Sequence, residues 1–315
     1  MWDFQLLAAM RSIESAMPLV LHRVVACLAI AFGYLLATLA GAGTGFALGS
    51  MLGDTPGPFG SGGAVAGFAL LGWALYKTRG LLLHGVWAEH LAVLVALRNG
   101  EKPPTGWKLV EYARGLVKGR FPSAGELAAL DTVIRDVLRC LPARLLDLPA
   151  SLPWRHPRLS RALNGIAGEM STLADQLALA EALSPSAGNP WRAAHDTVGC
   201  CAASWPMLFR NLAWLHLFMN FGWLVAYLLI RAPFADFAAL LPIDVPVWTE
   251  IFALVFSWTV KAAFFDTIAA AALLQLSPSL QKSRRGWQSR LGDCPALAEL
   301  ERRAKEEKAP TSAEA

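Results

Sequence analysis

Two ionisable side chains, Lys261 and Asp266, stand deep inside an otherwise apolar run, Val247–Leu276. Charge at membrane depth is costly, so it faces other helices or a wet cavity and marks ion, proton or solute paths. Five residues apart on an α-helix, the two are about 140° out of register, whereas i,i+3 and i,i+4 neighbours meet. Each is therefore expected to find its own partner, and Asp266 is read as a cation or proton site. The preceding run, Trp205–Ile230, adds Arg210, Asn211, His216 and Asn220. His216 and Asn220, four apart, share a helix face. Antiparallel packing would turn this polar stripe toward Asp266, with Arg210 within reach of it. The plainer alternative is that all of these groups bond between helices as glue. The predicted path residues are Asp266, Lys261, Arg210, His216 and Asn220.

The elements that position them are long apolar helices. The sequence is 55% hydrophobic and 17% charged, against about 25% charged in a soluble domain, and its mean hydropathy is +0.41. Both runs exceed the ~20 residues needed to cross ~30 Å of hydrocarbon. Many of the 12 Trp residues lie near run ends, where amphipathic rings suit the headgroup level. A third run begins at Pro18 and is too long for a signal-peptide core, so it is read as a retained span. A fourth begins near Ala64. There Leu81–Leu97 either completes the span or continues as an interfacial helix.

Basic residues orient these spans. The predicted turns at 49–63 and 232–246 contain no Lys or Arg, whereas 98–200 and the segment after Leu276 are rich in them. The positive-inside rule then gives one topology, with both termini and the centre cytoplasmic. The prediction is an all-α membrane protein with four transmembrane helices in two hairpins and a cytoplasmic amphipathic helical region between them. Its parts are an interfacial N-terminal helix (1–16), a first hairpin (17–97), the cytoplasmic region (98–203), a second hairpin (204–276) and a cytoplasmic tail (277–315) that ends in disorder. Within the central region, Ser123-x-x-Glu126 is a capping box. Leu127, Leu130, Ile134, Val137, Leu138 and Leu141 follow at helical spacing. A second helix is expected over Pro157–Leu183, and Asn189-Pro190 is an N-cap and first-turn proline for a third. These helices either pack on one another or lie on anionic lipid of the cytoplasmic leaflet.

An internal echo links the hairpins. Phe68-Ala69-Leu70-Leu71 and Phe252-Ala253-Leu254-Val255 each precede a lysine, Lys77 or Lys261, nine positions after the Phe. A parallel repeat and coincidence between Ala/Leu-rich helices both account for it.

Other chemistry is sparse. Cys27, Cys140, Cys200, Cys201 and Cys294 form no C-x-x-C, so they are read as packing residues. His84, Glu89 and His90 do not fit H-E-x-x-H, and no metal or cofactor is expected. The chain has no Walker loop, GxSxG elbow or dinucleotide fingerprint, and it is read as non-enzymatic, with no nucleic-acid partner.

The segment from Ala180 to Leu276 carries an A-x-D step before a final hairpin whose last helix holds Asp266-Thr267. In this it resembles the closing part of choline transporter-like membrane proteins. It is also similar to uncharacterised bacterial four-span proteins with an NPW-x-x-A-x-D segment, here Asn189, Pro190, Trp191, Ala194 and Asp196. The resemblance covers under a third of the chain and implies transport of a small cation. The choline transporter-like family has more spans and a large extracellular loop, both absent here. The expected function is an inner-membrane transporter-like or channel-like protein for a small solute or ion, a homo-oligomer or an accessory to another membrane protein. The alternative is a membrane scaffold that docks a partner or lipid through its cytoplasmic helices.

Overall fold

A computed structural model describes residues 3–53, 56–145, 168, 170, 173–239, 246–280 and 294–306. Their only regular structure is helix, with no strand among them. In chain order the helices are α1 (Leu6–Ser15), α2 (Met17–Met51), α3 (Pro56–Arg98), α4 (Lys108–Arg120), α5 (Ala124–Leu145) and α6 (173–183). They continue with α7 (Pro190–Ala203), α8 (Trp205–Ala239), α9 (Pro246–Val260), a π-turn (Lys261–Phe265), α10 (Asp266–Leu274), α11 (Ser277–Leu280) and α12 (Pro295–Glu306). Four stretches, Met17–Met51, Pro56–Lys77, Trp205–Asp236 and Val247–Leu274, are long and apolar enough to cross a membrane. Most of the helix predicted over Pro157–Leu183 lies outside the described residues, as do 240–245 of the second turn and 307–315 of the tail.

The contacts divide the chain into two compact units, and the division falls inside α2, α3, α8 and α10. The apolar unit comprises Val20–Leu83 and Met219–Asp266. Its surface is hydrophobic: Phe32, Leu36, Leu70, Phe221, Leu229 and Trp258 are all exposed. Large apolar side chains left outside in such number suit lipid and would be a liability in water. Inside the unit, aromatic contacts join the helices. Tyr34 meets Phe68 at 4.7 Å, Phe68 meets Trp248 at 5.9 Å, and Phe32 stands edge-on to Phe256 at 5.2 Å.

The predicted turn at 49–63 is a correction. Among the described residues there, only Leu52 and Gly53, the latter at φ +75°, leave the helix; α2 runs to Met51, and α3 starts at Pro56, where a first-turn proline is favourable. Gly63, at the end of that stretch, and the glycines flanking it serve close packing instead. A Cβ on Gly41 would lie 2.1 Å from the Gly63 carbonyl oxygen, and one on Gly67 2.1 Å from that of Ala37. Backbones this close require small residues, as in GxxxG crossings. The second predicted turn shrinks likewise: α8 continues to Ala239 with Pro233 inside it.

The second unit comprises Met1–Leu19, His84–Phe218 and Thr267–Ala315. Its centre is the last part of α3, where Leu91, Val93, Val95 and Ala96 are fully buried. The apolar run at 81–97 therefore ends neither as lipid-facing span nor as interfacial helix, because from Ala88 onward it is hydrophobic as a protein core. Leu127, Leu130, Ile134, Val137 and Leu138 of α5 are buried at the predicted spacing, and α12 packs on α5 and α7. The predicted caps form. Glu126 N–H donates to Ser123 Oγ at 3.2 Å, and Asn189 Oδ1 accepts from Trp191 and Arg192 N–H with Pro190 in the first turn. Helix α1 is tied down in this unit, since Asp3 accepts from Arg210 and Asn211 while its own N–H donates to Asn211.

Gly41→Ala and Gly63→Ala are expected to destabilise the protein by about 1–3 kcal/mol, the usual cost of overpacking. Gly43→Ala, where a Cβ meets nothing within 4 Å, serves as the control. Unfolding in mild detergent reads the difference, and equal behaviour of all three variants contradicts the close crossing.

Candidate functional site

The site is built on a break in helical register. Over Lys261–Phe265 the helix widens into a π-turn, and Asp266 N–H donates to the Lys261 carbonyl five residues back. Such turns are rare and concentrate at functional sites. Widening the turn reduces the 140° offset of an α-helix. Lys261 Nζ consequently donates to Asp266 Oδ1 at 3.0 Å, and the same two residues are linked through both main chain and side chain. This corrects the expectation that each finds its own partner elsewhere: that expectation took α-helical periodicity through a segment that is not α-helical. Lys261 is 9% exposed, and its ammonium also lies 4.8 Å from the Trp258 ring centroid.

The neighbouring helix α8 accommodates the wide turn. Phe265 lies so close over Gly222 that a Cβ there would fall 2.2 Å from its ring. One residue on, Trp223 donates to Ser257 Oγ at 3.0 Å and stands edge-on to Trp258 at 6.1 Å. Toward the other ends of these helices, Glu250 takes hydrogen bonds from both Tyr227 and Arg231.

A further cation belongs to this site and escaped the sequence reading. Arg23, in α2, interacts electrostatically with Asp266 and hydrogen-bonds to Cys27, and its Nη1 is fully enclosed. The available signal was a single arginine near the start of the first apolar run. Of the remaining predicted path residues, Arg210 pairs with Asp3 at 2.5 Å. His216 and Asn220 are half-buried and each engages a neighbouring group. Lys77, the counterpart of Lys261 in the internal echo, is exposed on regular helix, so the two lysines occupy different environments.

The second unit holds two polar features of its own. One is a cavity of about 550 Å³ lined by Glu181, Ser186, Asn189, Arg192, Asp196 and Ser277, among others. Burial raises the Glu181 carboxyl, but hydrogen bonds from Arg98 and Ser277 outweigh this and hold it below the ordinary range. The other is a buried cluster in which Arg135 bridges Asp131 at 2.8 Å and Asp175 at 3.1 Å. Two enclosed carboxylates share one guanidinium, so burial and the charge of Asp131 push Asp175 up to about 7. Glu89 pairs with Arg114 at 3.0 Å, and none of the five cysteines is in a disulfide. The side chain of His84 lies outside the described set.

No family model, curated protein or solved structure matches the chain.

Two outcomes follow from these contacts. Lys261→Met leaves Asp266 without its ammonium and is expected to cost about 3–5 kcal/mol. The double variant Lys261→Met/Asp266→Leu should recover much of that loss in detergent unfolding, and a double variant as unstable as the single one contradicts a direct pair. Asp175 titrates higher folded than unfolded, so its stabilising contribution is complete below pH ~4 and is lost as pH rises through about 7. Hydrogen exchange in α5 and α6 should show about 2 kcal/mol less protection near pH 8 than near pH 5.5. Asp175→Asn should flatten that dependence, and an unchanged pH profile in this variant excludes Asp175 as its source.

Proposed function

We propose that the protein is a polytopic inner-membrane protein of two helical hairpins that passes a small solute or ion, with Lys261 and Asp266 in its path. Both termini and the region between the hairpins are placed in the cytoplasm, where the basic residues concentrate. The observation that carries the reading is the ion pair across the π-turn. A charged pair enclosed in an apolar helix costs free energy, and a register break adds to it. Neither is needed to hold two apolar helices together. The pair is an element with two arrangements: closed in π register, or opened when a competing ion or proton takes Asp266. Four spans enclose little space alone, so a homo-oligomer, or a place beside another membrane protein, completes the path. The resemblance of residues 180–276 to choline transporter-like proteins puts small organic cations first among the solutes to try.

A scaffold or accessory role is the second reading. It rests on the Arg98–Ala203 region, which exceeds what joining two hairpins requires and contributes to a polar cavity large enough for a small ligand.

Flux of protons, alkali ions and small organic cations into vesicles, wild type beside Asp266→Asn, separates the readings. Flux that falls at least about tenfold in a correctly inserted variant, a loss of ~1.4 kcal/mol in the transport step, supports transport through Asp266. Absence of flux in inserted wild-type protein overturns transport in favour of the scaffold.

A further inference from the structure

We propose that the polar cavity of the second unit binds a small zwitterion that carries a carboxylate and an ammonium, as an α-amino acid does. The proposal deepens the second reading above, which rests on the same cavity, by naming the class of ligand. Its walls are one face of α7, the 184–188 loop, the start of α11 and the end of α12. On α7, Arg192 and Asp196 both line it. They stand four residues apart, where side chains of opposite charge are neighbours and ordinarily meet. Here they do not meet. The Arg192 guanidinium makes no hydrogen bond or ion pair among the described residues, and the Asp196 carboxylate meets only the adjacent His195 ring, at 3.4 Å. Either charge alone on an open surface would be satisfied by water. Set side by side in one concavity, they present a cation and an anion to the same guest.

Charge balance selects a zwitterion over a simple ion. The third charged lining residue, Glu181, is already matched within the protein, since it accepts from Arg98 and from Ser277. Among the described lining residues a guest therefore meets one unmatched cation and one unmatched anion, and a singly charged molecule would leave one of them uncompensated. The guanidinium fork takes a carboxylate bidentately, and the Asp196 carboxylate accepts from an ammonium. The backbone donors at the start of α7 play no part. Trp191 and Arg192 N–H are held by Asn189 Oδ1, and Ala193 N–H by the Asn189 carbonyl. Size and polarity narrow the class further. At about 550 Å³ the cavity falls in the range of small-molecule sites, yet small and hydroxyl-bearing residues such as Ser184, Ser186 and Ala193 form much of its wall. That lining suits a short polar side chain and gives a large apolar one little to bury against.

The test titrates L-serine, L-asparagine and L-glutamine into the full-length protein in neutral detergent and follows the thermal unfolding midpoint. Each is set beside its amide, which lacks the carboxylate, and its 2-hydroxy acid, which lacks the ammonium. At least one amino acid should raise the midpoint, and neither of its singly charged analogues should. Arg192→Gln and Asp196→Asn should each raise the half-saturating concentration about tenfold, the loss of ~1.4 kcal/mol from one charge-assisted bond. Both side chains are exposed, so the variants keep the fold. Arg192→Lys covers a Gln variant that does not fold and, lacking the fork, should also bind more weakly. A 2-hydroxy acid that stabilises as well as its amino acid overturns the zwitterion and leaves a simple carboxylate site at Arg192. No response to any of the three amino acids, or a response unaltered in both Arg192→Gln and Asp196→Asn, overturns the site. Vesicle flux judges the two functional readings separately. Flux lost in Asp266→Asn removes the scaffold reading without altering the amino-acid response, and a missing response removes the ligand without altering the flux.

Discussion

An ammonium and a carboxylate five residues apart meet only where the helix between them is wider than an α-helix. In this chain the main-chain bond from Asp266 to Lys261 and the side-chain bond from Lys261 to Asp266 close the same turn, so each makes the other geometrically possible. The surroundings are shaped to it. Gly222 leaves room for Phe265, Trp258 covers the ammonium, and Arg23 comes up from α2. The cost of charge in an apolar helix is reduced by pairing, and the pair exists only in one register. That coupling makes the turn a candidate switch as well as a candidate site.

The same economy governs the helices around it. In hydrocarbon there is little hydrophobic drive between helices, so close backbone packing carries the association. The crossing of α2 and α3 at Gly41, Gly45, Gly63 and Gly67 supplies it. The other unit relies on burial from water instead, with an all-apolar α3 segment at its centre and polar clusters such as Asp131–Arg135–Asp175 closed around single guanidinium groups. Helix α3 thus changes character along its length: its first half carries exposed apolar side chains such as Val65, Leu70 and Trp73, and its last turns are buried in protein.

Much of this was legible in the residues. Helix class, four apolar stretches and the caps at Ser123 and Asn189 follow from composition and local spacing, because those features are encoded by neighbours in sequence. Gly63 reads by composition as part of a turn, because composition alone does not separate glycine used for bending, as at Gly53, from glycine used for contact; that depends on what lies opposite. Leu81–Leu97 was ambiguous for a related reason, since a helix buried in protein and one buried in lipid carry the same side chains. The Lys261–Asp266 pair was invisible because its spacing fails every α-helical rule, and a π-turn has no signature in KAAFFD. Arg23 was overlooked because a lone cation early in a span gives no hint of its partner some 240 residues away in sequence.

The most direct measurement is the through-hydrogen-bond coupling at the Asp266 amide, recorded by NMR on isotope-labelled protein in micelles. A cross-peak from Asp266 nitrogen to the Lys261 carbonyl carbon is the predicted result, the mark of the i+5 bond that brings the two charges together. A cross-peak to the Ala262 carbonyl carbon would place the segment in α-helical register, separate the pair and remove the basis of the site.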